Sequence, residues 1–447
     1  MSDALHPLSA QPLRRFKRYP AYKDSGVEWL GEIPAHWKVR RLKYLAQVNP
    51  EALLEETDPR LEISYIDIGG VDSLGRILEK ENLTFASAPT RARRVVRDGD
   101  VIVSTVRTYL RAIAPIKNPE PGMVVSTGFA VIRPGHELTT DYAAYAFRAP
   151  YFVERVVANS TGVSFPAISE SKMATHELAV PPEAEQRAIA VFLDRETARI
   201  DALVAKKERL IQLLQEKRTA LVTRAVTKGL DPTVPMKDSG VEWLGEIPAH
   251  WEVVPSTWLF AERKERAREG DEHLSATQKY GVIPRAEFER LEGRQVVHAF
   301  MHLEQRKHVE VNDFVISMRS FEGGLEIVRA PGCVRSSYCV LRGSEEVHPS
   351  FFAYLFKSST YIQALRSTSN FIRDGQDLSF ANFRQIRLPR VPLQEQRAIA
   401  TFLDQEIKGI DALVSKISEA IDRLKELRTA LISAAVTGKI DVREGAA

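Results

Sequence analysis

Apolar residues recur every three or four positions through two long stretches of the chain. Ile399, Leu403, Glu406, Ile410, Leu413, Ile417, Ala420, Leu424, Leu427, Leu431 and Ala434 alternate four and three residues apart. Ile189, Leu193, Glu196, Ile200, Leu203, Lys207, Leu210, Leu214, Lys217 and Leu221 keep the same register. A sustained 3.5-residue period predicts coiled-coil helices, because one such helix cannot bury its stripe alone. Each should span about 40 residues, on the order of 60 Å at 1.5 Å per residue. The obvious partner of each is the other. With a block of different character between them, they are expected to pair antiparallel and hold two blocks apart, as a ruler. Outside these stretches the pattern shortens to alternating strands, Gly/Pro turns and one or two aromatic helices, DYAAYAFRAPYFVERV in one block and PSFFAYLFKSSTYIQALR in the other. That mixture predicts an α+β fold.

The chain repeats itself. KDSGVEWLGEIPAHW occupies Lys23–Trp37 and recurs letter for letter at Lys237–Trp251. EQRAIA, FLD, IDALV, RTAL and AVT occur from Glu185 and again from Glu395. The first element recurs after 214 residues (23 to 237) and the second after 210 (185 to 395). The blocks between them diverge but keep a matching frame. Asp98–Ser104 with Arg107 corresponds to Val311–Ser317 with Arg319, and Pro121-Gly122 corresponds to Pro331-Gly332. This divides the chain into a first variable domain (1–180), a helical spacer (181–230), a second variable domain (231–390) and a second spacer (391–447). Glu196 and Glu406 take the same stripe position in the two spacers; they either fix register or face a partner.

Composition narrows the setting. Of 447 residues 44% are hydrophobic and 27% charged, with a net charge of only +3, so any nucleic-acid contact needs a local basic face. Two cysteines, Cys333 and Cys339, make no disulfide scaffold; their five intervening residues suit no metal site, and packing within a strand is expected. No segment has signal-peptide or membrane-span character, and the expected location is cytoplasmic, with no membrane partner.

The paired SGVEWLGEIPAHW segments, each followed by a variable block and then by PPEAEQRAIAVFLD or PLQEQRAIATFLD, closely resemble the specificity subunit of Type I restriction-modification systems. The resemblance covers nearly the whole chain and is most specific in the repeats. It implies two pseudo-symmetric target-recognition domains separated by two long antiparallel coiled-coil helices. Each domain would read one half of a split, asymmetric sequence in double-stranded DNA, and the helices would set the gap. It also implies two modification (methyltransferase) subunits docked on the helices, with restriction or translocase subunits as further partners. S-adenosylmethionine, ATP and Mg would then sit on those partners, and this chain would carry no cofactor, metal or catalytic residue. The geometry agrees, since half-sites one turn of B-DNA apart, about 34 Å, present their grooves on one face.

Candidate DNA-contacting residues follow from side-chain chemistry. TRARRVVRDGD gathers Arg91, Arg93, Arg94 and Arg97 beside a turn, with Arg107, Thr108, Tyr109, Arg111 and Lys117 downstream. Arginines bond phosphates and read guanine in the major groove; a solvated charged edge is the alternative. LSATQKYGVIPR offers Ser275, Thr277, Gln278, Lys279 and Tyr280, where glutamine suits adenine. Arg319-Ser320 and Asn370 with Arg373 are candidates in the second block, with Asn159 and Ser160 as counterparts in the first; a plain surface loop explains each equally well. Trp29, Trp37, Trp243 and Trp251 lie in the invariant repeat, where sequence reading cannot reside, and are expected to be packed. His36 and His250 have no nucleophile or ligand set beside them. A methyltransferase tetrapeptide of the Asn-Pro-Pro-Tyr type is absent, as is a Walker loop, and Asp67-Ile68-Gly69-Gly70 is only a lone glycine pair. Two other readings compete: a self-contained DNA modification enzyme, which would need those motifs, and a coiled-coil assembly scaffold, which leaves the two divergent blocks unexplained.

Overall fold

The computed structural model describes residues 16–162, 164, 166–293, 305–317, 320–368 and 379–443. The chain forms two compact units, Met1–Glu208 with Ser418–Ala447, and Arg209–Ile417. Two long helices, Glu183–Lys228 and Leu393–Val436, run 46 and 44 residues. The unit boundary falls inside both helices, so each unit owns the start of one and the end of the other.

In the first unit the repeat segment folds into a hairpin of Tyr22–Asp24 with Glu32–Pro34. Gly26 and Gly31 take left-handed conformations in its turn, and the Asp24 carboxylate accepts from the Gly26 N–H. The hairpin buries Leu30, Ile33 and Trp37. The next strand, Lys38–Arg41, pairs antiparallel with Glu177–Val180, which leads into the first long helix. Between them lie two four-stranded sheets. One has the order 46–48, 129–134, 101–104, 113–115; the other has the order 81–84, 62–66, 123–126, 92–95. The second unit repeats the hairpin at Met236–Asp238 and Glu246–Pro248, the pairing of Glu252–Pro255 with Arg387–Arg390, and one sheet in the order 260–262, 339–343, 314–316, 326–327. In place of the other sheet it has two two-stranded ladders, Leu274–Thr277 with Gly281–Pro284 and Lys307–Val309 with Gly332–Val334. Each aromatic stretch is a pair of helices, Thr140–Arg148 and Pro150–Ala158, then Pro349–Lys357 and Ser359–Ser367. The first pair breaks at Ala149, which Pro150 forces into an extended conformation.

Within each unit the helix halves pack antiparallel. In the first, Arg428 donates to Asp201 at 3.0 Å and Arg443, just past the second helix, lies 3.8 Å from Glu185. Moving forward from 185 to 201 on one helix moves back from 443 to 428 on the other. In the second unit, Arg218 lies 3.7 Å from Asp411, and Gly229 abuts the Glu395 side chain. Asp201 and Asp411 come from the repeated IDALV, Arg428 and Arg218 from the repeated RTAL. One ion pair is therefore written twice with the helices exchanged.

The buried stripe departs from the expected register. In the second helix it runs through Ile399, Leu403, Ile407, Ile410, Val414, Ile417, Ile421, Leu424, Arg428, Leu431 and Ala435. From Leu403 onward the steps alternate four and three, so the 3.5-residue heptad holds, with its second position moved by one to Ile407, Val414, Ile421, Arg428 and Ala435. Leu203, Leu210 and Leu413 consequently face outward, with 40%, 45% and 51% of their surface exposed. Glu406 is exposed one position before the buried Ile407, whereas the Glu196 side chain, 12% exposed, stays largely covered beside the buried Thr197.

Candidate nucleic-acid interface

The repeated residues build the frame that carries the variable loops. Trp37 is fully buried and its indole N–H donates to Glu185 at 2.9 Å, while His36 Nε2 lies 2.7 Å from the same carboxylate. Trp251, His250 and Glu395 repeat this at 3.0 and 2.9 Å. Gln186 accepts from the Thr139 N–H and donates to the Glu137 and Pro181 carbonyls; Gln396 does the same with His348, Glu346 and Val391. The Tyr145 hydroxyl donates to Asp194, as that of Tyr354 does to Asp404. Trp29 stacks on Tyr151 at 4.9 Å and Trp243 meets Tyr361 edge-on at 5.6 Å. The four tryptophans of the repeated segment are thus packing residues.

In the first unit the turn Thr108–Leu110 stands between two arginines, Arg107 and Arg111, both with φ of 54°. A left-handed conformation costs a non-glycine residue roughly 1–2 kcal/mol, and such strain concentrates where a loop must present something. The turn presents Tyr109 and Leu110, 54% and 40% exposed, beside the exposed Arg111. Behind it, the buried Thr108 hydroxyl lies 3.0 Å from that of Ser160, and the Arg107 N–H donates to Pro166. Two sequence-predicted segments, 107–111 and 159–160, therefore meet. Asn159 and Ser160 donate to the Arg155 and Val156 carbonyls, closing the end of their helix.

The arginine run is more heavily engaged within the fold than its sequence suggests. Arg91 donates to Asp67 and Tyr65, Arg94 to Glu170, and Arg97 to Glu51; Arg93 lies 4.5 Å over the Phe85 ring. Lys117 pairs with Asp141. The arginine contacts tie the strand Ala92–Val95 and the segments flanking it to their neighbours, and the lysine pair ties the chain just after the strand Ile113–Pro115 to the helix Thr140–Arg148.

In the second unit the predicted segment forms a hairpin tip. Thr277 accepts from the Tyr280 N–H at 3.0 Å and donates to the Gly281 carbonyl at 2.9 Å, which displays Gln278 and Lys279. Lys279 lies 4.7 Å over the Tyr280 ring, whose hydroxyl donates to Glu292. Gln278 packs against Gly323, at the end of the short helix Ser320–Gly323, so these two segments also meet. Ser275 lies on the strand before the tip, half-buried. Ser320 is buried and its hydroxyl accepts from the Ser317 N–H; like Thr108, it shapes its loop from behind. Arg319, Asn370 and Arg373 lie outside the described residues.

Sequence reasoning missed a buried carboxylate beneath each site. Asp100 accepts from Arg133, at 2.8 and 2.9 Å, and Asp313 accepts from Arg263 at 2.7 Å. The aspartates match in frame, but Arg133 comes from the strand Phe129–Pro134 and Arg263 follows the strand Phe260–Glu262. The same charge is matched from different strands, so no aligned letter revealed it. Cys333 and Cys339 are buried thiols on strands, and burial pushes Cys339 up to about 12. Among the described residues no cluster suits a metal ion, and no helix is long and apolar enough to cross a membrane.

Comparison with known proteins agrees with this architecture. A family model described as the Type I restriction modification DNA specificity domain matches residues 34–213 and again 256–423. A sequence named for the MjaX type I restriction enzyme specificity subunit of Methanocaldococcus jannaschii is 23% identical over 93% of this chain and 96% of its own. The EcoBI specificity subunit of Escherichia coli is 23% identical over 65% and 64%. A chain from a structural study of complex assembly and conformational transition in a type I R-M system superposes with a TM-score of 0.67 at 22% identity, covering 90% of this chain and 98% of that one. The HsdS subunit of Thermoanaerobacter tengcongensis gives 0.53 at 21%, covering 91% and 98%. With two family matches on two repeated units, the chain belongs to the Type I restriction-modification specificity subunits, the non-catalytic components that recognise the DNA target.

Proposed function

We propose that the two units read the two halves of an asymmetric, interrupted DNA site, and that partner modification subunits act on what they select. The observation that carries this is one frame holding two different displays. A strained turn offers Tyr109 and Arg111 in the first unit, and a hairpin tip offers Gln278 and Lys279 in the second. Tyr109, Arg107 and Arg111 suit groove and phosphate contacts, with Arg91 and Arg93 at the flank; Gln278 suits adenine. Leu203 and Leu413, one repeat apart and both outward-facing, support one modification subunit on each helix. S-adenosylmethionine, ATP and Mg would belong to those partners and to any restriction subunit.

Two experiments test the reading. Exchanging the block between Asn49 and Pro181 for another recognition domain should change one half-site only, read by single-molecule sequencing of methylated bases; an unchanged target refutes it. Inserting one helical turn after Ala205, about 5.4 Å, should lengthen the gap with both half-sites intact. An unchanged gap, or an altered half-site sequence, counts against the spacer.

A further inference from the structure

The first unit holds a cavity of about 530 Å³ between the Asp72–Arg76 loop, the ends of its two short helices and its two long-helix halves. Five cations line it. Arg76 pairs with Asp72 and Arg428 with Asp201. Arg111, Arg148 and Lys425 remain, against one further acidic group, Glu208.

Arg148 is the telling residue. Its guanidinium donates to the Ala144 carbonyl at 2.8 Å and the Leu74 carbonyl at 2.6 Å, and it lies 4.5 Å from the Tyr145 ring. Among the described residues no carboxylate forms an ion pair with it. Burial pushes its pKa down, and the Arg428 charge adds to this, while the Tyr145 side chain and the Asp194 carboxylate pull the other way. The second unit supplies an internal control. There the helix-end cation is Lys357, which bonds the Gln278 carbonyl at 3.1 Å and the buried carboxylate of Glu326 at 2.7 Å. Glu326 faces Val315 across its ladder, and the matching first-unit pair is Ala114 with Ile102. Alanine thus stands where the other half has its neutralising carboxylate. The same holds on the helix, where Lys425 occupies the repeat position of Gln215. Half-buried positive charge without a direct ion-pair partner is costly, and an anionic ligand reduces that cost.

We propose that this cavity binds a phosphate group, with Arg148 at its base and Arg111 and Lys425 at its mouth, and that the second unit has no such site. A forked guanidinium and an ammonium suit the charge and geometry of phosphate. The group is either free or part of a DNA backbone. The site does not depend on how the DNA target is read, because its phosphate binding is measured without DNA and only the source of the phosphate is assigned with a duplex that lacks the target.

The full-length chain is titrated with inorganic phosphate against chloride at matched ionic strength, following its thermal midpoint and the heat of binding. Phosphate raises the midpoint of any protein somewhat by surface exclusion, so the reading is the difference from a variant. Arg111→Gln with Lys425→Gln changes two exposed residues and is expected to weaken phosphate at least tenfold. Ala114→Glu, which installs the second unit's carboxylate, should abolish the response; if it does not fold, the exposed pair still decides. An equal response in wild type and the double variant overturns the proposal. Binding to a 30-base-pair duplex lacking the target then identifies the source. A salt slope reduced by about one in Lys425→Gln alone, which leaves Arg111 in place, assigns a backbone phosphate, and an unchanged slope assigns a free anion.

Discussion

His176 should make the first unit acid-labile. Its side chain is buried against Phe152, neither ring nitrogen has a hydrogen-bond partner, and burial, reinforced by the Arg155 charge, lowers its pKa from 6.5 to about 4. The folded unit keeps the ring neutral, whereas the unfolded chain protonates it near 6.5. Protons therefore bind preferentially to the unfolded state. The stability this group protects is intact above about pH 6.5 and is lost as pH falls toward 4. Between pH 7 and pH 5 these values correspond to about 2 kcal/mol. The strand Glu177–Val180 follows directly, and the Leu42 N–H bonds the His176 carbonyl, so loss should centre on the pairing of Lys38–Arg41 with that strand. Hydrogen exchange at pH 7 and pH 5, corrected for intrinsic rates, should show these amides deprotected in acid. His176→Leu should flatten the difference. The same acid loss in the leucine variant would refute the reasoning.

Glu395→Ala strands the buried Trp251 N–H and should cost about 1–3 kcal/mol in denaturant unfolding, with Glu395→Gln recovering much of it; equal stability of all three would count against the shared carboxylate. In the second unit, burial lowers the His308 pKa, but hydrogen bonds to Glu310 and Asp271 outweigh it and the net shift is upward. Its contribution is therefore full below the ordinary histidine range and lost as pH rises through the raised value; an NMR titration midpoint below 6.5 would contradict this. Gly324 has φ of +77°, and a Cβ there would lie 2.0 Å from the Phe356 carbonyl, so Gly324→Ala should destabilise the second unit by more than the roughly 1–2 kcal/mol of the conformation alone. Gly240→Ala, with open space around a similar φ, should cost no more than that conformational penalty, and parity between the two would refute the clash.

Much of the architecture was legible because duplication labels it. Two copies of one hairpin and one helix, at nearly equal separations along the chain, announce two halves and a shared frame. Helix register was legible only in outline. The heptad spacing was right, but a sequence of fours and threes leaves open which flanking position completes it, and the one-residue shift from Leu203 to Val204 and from Leu413 to Val414 turns both leucines outward. That each helix is divided between units was hidden, because sequence order separates what folding interleaves. The candidate site was legible by segment and not by residue. Segments 107–111 and 159–160 do meet, as do 277–280 and 320, but burial turned Thr108 and Ser320 inward and carboxylates claimed much of the arginine run. Residue type sets what a side chain can bond; its neighbours decide whether it is still free to do so.

The two halves also show which interactions a duplicated reader has kept fixed. Where a side chain ties hairpin or helix to the frame, the letters are the same in both: Trp37 and Trp251 on Glu185 and Glu395, Gln186 and Gln396 on three backbone groups, Asp201 and Asp411 on Arg428 and Arg218. Only the Asp–Arg pairs join the two long helices, so a change in one of those letters must be matched on the opposite helix. Deeper in the sheets only the charge balance survives. Asp100 and Asp313 each find an arginine, but on different strands. At the loops and in the cavity even that balance is dropped, leaving Arg111 open and Arg148 without the carboxylate that Lys357 has. Constraint falls in the order helix, sheet, loop, which lets one half acquire new contacts without unsettling the frame the halves share.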